Sequence, residues 1–85
     1  MFFDHADFDT ANIMDAAQKE TGALGGMRIL RAEHGERGWR LKYITLGDEY
    51  PIAAIERRLT RAVGEAVRMV DLHYDFDTAA RMIYA

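Results

Sequence analysis

The sequence predicts a small α+β domain of order α-β-β-α(-α), with an antiparallel β-hairpin packed on a long C-terminal-half helix and a short N-terminal helix. Three observations predict it: apolar positions at helical spacing between Ile52 and Val70, two strand-like runs on either side of HGERG, and a capped helical start near Thr10.

In the first helix Asp9 or Thr10 is the expected cap, Ile13, Met14 and Ala17 form the apolar side, and Gly22 is expected to end it in a left-handed turn. The stretch GALGG breaks the pattern. Strand-like runs follow at Met27 to Glu33 and Trp39 to Leu46. Along the second run Trp39, Leu41 and Tyr43 share one face and Arg40 and Lys42 the other, so one side packs and the other is wet. The first run alternates poorly. After LGDEYP, with Asp48 as cap and Pro51 in the first turn, Ile52, Ile55, Leu59, Ala62, Val63, Ala66, Val67 and Val70 predict one helix reaching Val70. Gly64 within it suggests the close approach of another backbone. A last short helix is expected from Thr78.

The 85 residues suit one small domain with a narrow margin of stability, so a partner or a second copy is expected to help. A lone hairpin is marginal in water; the helices are expected to cover its aromatic face, with two hairpins joining in a homodimer. The chain has no cysteine, which excludes disulfides and thiolate metal sites, and its acidic start predicts a cytoplasmic protein rather than an exported one. No apolar run approaches membrane-spanning length, so no membrane association is expected.

The net charge of −3 conceals a division. From Arg28 to Arg68 nine basic residues face six acidic ones, whereas the two ends together carry eight acids against Lys19 and Arg81. A basic centre between acidic ends suits an acidic partner or ends that fold back and neutralise the centre, and the simpler reading is a mixed surface kept soluble by both signs.

One phrase is written twice: HADFDTANIM at residues 5 to 14 and HYDFDTAARM at residues 73 to 82. Extended, His5, Asp7 and Asp9 would share a face, as would His73, Asp75 and Asp77, and each set could hold a divalent metal. The simpler reading makes Asp9 and Asp77 helix caps, with Phe8 and Phe76 as hydrophobic staples. DFDT is similar to the Asp-x-Asp-x-Thr nucleophile motif of haloacid-dehalogenase phosphatases, but its threonine falls one residue early and no apolar strand precedes it, so that activity is excluded.

Serine is absent as well as cysteine, which removes the commonest covalent nucleophiles. GALGG precedes a strand and lacks the Lys-Thr ending of a phosphate-binding loop. His34 reads as an exposed turn residue, since no neighbour in sequence fixes its tautomer.

These readings predict a non-enzymatic module, without a resident cofactor, that binds another protein as a regulator, adaptor or inhibitor; the arginine-rich, alanine-rich usage is compatible with a high-GC bacterium or its phage. Trp39, Tyr43, Arg57, Arg58, Arg61, Arg68, Met82 and Tyr84 are the candidate partner-binding residues. The alternative is a nucleic-acid-binding protein whose Arg57, Arg58, Arg61 and Arg68 track phosphates. The third reading is the divalent-metal site of His5, Asp7, Asp9, His73, Asp75 and Asp77.

Overall fold

The computed structural model describes residues 10–22, 25–47 and 49–84. Its elements run α1 (Thr10–Thr21), β1 (Met27–Gly35), β2 (Gly38–Thr45), α2 (Ile52–Val63), β3 (Val67–Asp71) and α3 (Phe76–Tyr84). The three strands form one sheet in the order β1-β2-β3, antiparallel between β1 and β2 and parallel between β2 and β3. The α+β class, the hairpin and both flanking helices are therefore present. The correction is a third strand, which takes the second half of the helix expected to reach Val70.

The physical reason lies at Gly64. It adopts φ 87°, a left-handed conformation that glycine enters without steric cost, and its N–H donates to the Thr60 carbonyl at 2.9 Å, closing α2. Beyond it Val67 and Met69 alternate with Arg68 and Val70, and this period of two satisfies the same apolar residues that fitted a helix. The close approach expected at Gly64 is not found among the described residues, where a Cβ added there would meet open space. The close approach is at Gly38, where an added Cβ would lie 2.3 Å from the Ala66 carbonyl oxygen.

β1 departs from simple alternation because a bulge at Leu30–Arg31 shifts its register against β2, pairing Ile29 with Tyr43 and Arg31 with Lys42. The extra residue turns Ile29 and Ala32 to the same side although they stand three apart. That side is the core: Met27, Ile29, Ala32, Trp39, Leu41, Tyr43, Val67 and Met69 pack with Ile13 and Ala17 of α1 and Ile55 and Leu59 of α2. α1 lies over β1 and against α2, and α2 lies over β3.

Side chains of α2 also close the outer edge of β3. Thr60 Oγ1 accepts the Val67 N–H at 3.0 Å and Glu56 Oε2 accepts the Met69 N–H at 2.7 Å. Helical spacing of four residues matches strand spacing of two here, so two outward-facing amides that would otherwise invite strand addition are satisfied internally.

Three local expectations are corrected. Gly22 ends α1 without a left-handed turn; among the described residues before β1 the positive φ angles belong to Gly25 and Gly26. Pro51, expected in the first turn of α2, occupies its cap position, with no side-chain cap; Asp48 lies outside the described residues. α3 starts at Phe76, and its cap is Asp75, whose Oδ1 accepts the Thr78 N–H at 2.8 Å, rather than Asp77, which stands in the first turn.

The Thr78 hydroxyl, and after it the Thr78 N–H, hydrogen-bond the Asp75 carboxyl and hold it below its ordinary 3.8, with Arg81 adding a smaller pull in the same direction. A carboxyl depressed on folding stabilises above its unfolded value and loses that contribution as pH falls through the folded one. Asp75→Ala is therefore expected to lower the melting temperature at neutral pH, and the gap from the parent should narrow as pH falls through and below the ordinary carboxylate value. A gap independent of pH would remove the carboxylate from the cap.

Candidate binding surface

The sheet has two unlike faces. Opposite the core, β1 presents Arg28, Arg31 and Glu33, β2 presents Arg40, Lys42 and Ile44, and β3 presents Arg68 and Val70, a placement that follows from the register. Ile44 and Ala79 are fully buried yet stand outside the main core cluster. The guanidinium of Arg28, whose register partner is Ile44, donates to the Met82 carbonyl, which ties the last turn of α3 to this side of the sheet.

Glu33 sits among the bases, 3.2 Å from Lys42 Nζ, 3.4 Å from Arg31 Nε and 3.8 Å from Arg40. The hydrogen-bonded Lys42 ammonium, helped by Arg31 and Arg40, holds its carboxyl below the usual carboxylate range. Arg40 and Arg68 are register partners on neighbouring parallel strands, so two like charges stand side by side.

Of the four arginines expected to act together, the structure brings three to one groove. Arg57 and Arg61 on α2 and Arg68 on β3 line one shallow groove of about 430 Å³ along the β3 edge. Arg58 does not join them: its Nε donates to Glu20 Oε1 of α1 at 2.6 Å, so it braces the two helices. Arg68 also lines a larger groove, of about 670 Å³, with Arg37 and Arg40 at the hairpin end of the sheet. A continuous band of arginine thus wraps from the outer side of α2, over the β3 edge, onto the wet face of the sheet.

The acids interspersed with this band are mostly engaged inside the molecule. Glu56 holds the Met69 amide, Glu33 is enclosed by Lys42 and Arg31, and Glu65 Oε1 lies 2.8 Å from His34 Nε2. Arg37, Arg57, Arg61 and Arg68, by contrast, have no hydrogen-bond or ion-pair partner among the described residues.

His34 is exposed, as expected, but lies in β1 rather than in the turn. It is the penultimate residue of β1, pairs with Trp39 across the hairpin, and stacks on that indole at a centroid distance of 4.5 Å. Its positioning group, Glu65, is 31 residues away in the α2–β3 connection, where no inspection of neighbouring residues finds it.

Trp39 and Tyr43, expected to touch a partner, are core residues at 3% and 6% exposure. Their burial follows from the alternation that put Leu41 between them. Burial, with Asp71 and Glu56 nearby, raises the Tyr43 phenol above its ordinary value and keeps it neutral. Met82 is half-buried, with its carbonyl serving Arg28, whereas Tyr84 is 70% exposed and joins Tyr74 and Phe76 as exposed aromatic surface on and before α3. The exposure of Phe76 at the first helical position removes it from the expected staple.

The expected metal ligands do not assemble among the described residues. His73 adopts φ 57° and its N–H donates to Asp71 Oδ1 at 2.7 Å, while Asp75 caps α3 and Asp77 lies within it, so the three do not share a strand face. No group of three histidine or acidic side chains suited to a metal occurs among the described residues, and His5, Asp7 and Asp9 lie outside them. No helix among the described residues is long and apolar enough to cross a membrane.

No protein-family model matches this chain, and no curated protein or solved structure matches it significantly.

Proposed function

We propose that the chain is a non-enzymatic binding module whose arginine band, Arg57–Arg61–Arg68–Arg40, docks an acidic segment of another protein. The observation that carries this reading is the imbalance of pairing: the neighbouring acids are mostly used to hold the fold, whereas Arg57, Arg61 and Arg68 have no partner among the described residues and Arg40 has only a 3.8 Å contact to a Glu33 that Lys42 and Arg31 share. Unpaired like charges repel one another, and an acidic partner relieves that repulsion while gaining bidentate contacts to guanidinium groups. Glu33, Glu36 and Glu56 interrupt the band, and the chain is net acidic. Both features suit a partner of mixed charge better than a continuous phosphate backbone.

Nucleic acid is the second reading, favoured by the placement of Arg57, Arg61 and Arg68 in one groove. Fluorescence anisotropy of an acidic peptide and of labelled single- and double-stranded DNA, at about 50 and 200 mM salt, separates the two. The peptide is expected to bind, and the double variant Arg57→Ala/Arg61→Ala to weaken it about fivefold, in line with two partly exposed charge contacts. DNA binding that collapses with salt, with no peptide binding, replaces the first reading with the second. Binding of neither defeats both.

A further inference from the structure

The groove at the hairpin end is enclosed by features brought together from distant parts of the chain. Its walls are the Gly35–Gly38 turn and the connection at Ala66; Arg37 enters from the turn, Arg40 from β2 and Arg68 from β3. Its volume of about 670 Å³ lies in the range of small-ligand sites.

Charge decides what such a groove takes. Among the described lining residues three guanidinium groups stand against the carboxylates of Glu33 and Glu36, a surplus of one positive charge, and Glu33 is shared among Arg40, Lys42 and Arg31, the last two outside the groove. Arg40 and Arg68 stand side by side on adjacent strands, about 4.8 Å apart at the backbone, an arrangement that destabilises the sheet unless an anion lies between them. Guanidinium forks match the oxygens of a phosphoryl group in geometry as well as charge. The hairpin end is tied down from the other face of the sheet, where the His34 ring stacks on Trp39 and reaches the Glu65 carboxylate.

We infer that this groove is a binding site for a compact phosphate-class dianion, held by Arg37, Arg40 and Arg68. The inference stands apart from the acidic-partner reading, with which it shares Arg40 and Arg68 but not Arg37 or the hairpin turn.

The test is a titration of the full-length chain with inorganic phosphate at slightly alkaline pH and constant ionic strength, followed by amide and arginine Nε resonances in NMR. Saturable shifts are expected at residues 35–40 and 66–70, with Arg57 and Arg61 unmoved. Arg40→Lys and Arg68→Lys keep the charge, and so protect the fold, but lose the fork; each is expected to weaken phosphate at least fivefold. Lysine variants that bind as tightly as the parent overturn the site as drawn. So does a response without saturation, or one spread equally over Arg57 and Arg61, which marks general screening. If phosphate fails while the acidic peptide still binds, this inference falls alone; if phosphate binds and the peptide does not, only the docking reading falls.

Discussion

Gly38→Ala is expected to destabilise the domain by about 2–4 kcal/mol, a large share of what a chain of this size holds in reserve. Two effects add. The backbone at Gly38 has φ 102°, where a residue with a Cβ is strained, and the new methyl would lie 2.3 Å from the Ala66 carbonyl oxygen. That oxygen has no freedom to retreat, because it accepts the Trp39 N–H at 2.8 Å, the hydrogen bond that starts the β2–β3 ladder. Relief requires moving either the hairpin turn or the start of β3, and each sacrifices pairing. Gly35→Ala is the control: φ there is not positive and nothing lies within 4 Å of the added methyl, so stability should change by less than about 0.5 kcal/mol. Urea unfolding of the three proteins decides. A Gly38→Ala variant with the parent's midpoint would remove the Ala66 contact as a constraint on the fold.

The same glycine shows where a linear reading succeeds and where it stops. Sequence places a turn at HGERG, because local chemistry is enough to mark one, but the reason for a glycine at 38 is a carbonyl 28 residues away. β2 is legible as well. It is the central strand, and Trp39, Leu41 and Tyr43 alternate with Arg40 and Lys42 without interruption. β1 is blurred by one bulged residue, which shifts the period midway and makes Ile29 and Ala32 look out of phase.

β3 is concealed for a different reason. Val67 and Val70 fit helical spacing as well as Val67 and Met69 fit strand spacing, so a short apolar segment satisfies both periods. Gly64 was the available signal for a break: a glycine inside a helical pattern, followed by a β-branched residue within a few positions, fits a left-handed stop as well as a packing contact. The candidate surface was half legible. Composition locates the basic middle of the chain, but only the β2-α2-β3 crossover brings Arg68 beside both Arg61 and Arg40, and only tertiary pairing separates the occupied Arg58 from its unpaired neighbours. The doubled phrase proved legible as a helix start in its second copy, with the cap two residues earlier than expected.

Leu41→Ala is expected to cost about 3 kcal/mol, a large share of the stability of so small a domain. Leu41 is fully buried on the central strand, with Ala32 opposite on β1 and Met69 opposite on β3. Ala32 is too small to enter the vacated space, and a strand bonded on both sides cannot collapse into it. Met69 has the flexibility to swing partly inward, which places the cost toward the middle of the range for such truncations rather than its top. Denaturant unfolding measures the loss, and a value below about 1 kcal/mol would show that the two layers close over the gap. The outward neighbours of Leu41 are Arg40 and Lys42, so the packing that fixes this strand also fixes the spacing of the charges on its other side. A truncated but folded variant should therefore bind both the acidic peptide and phosphate more weakly, although Leu41 itself is out of reach of either.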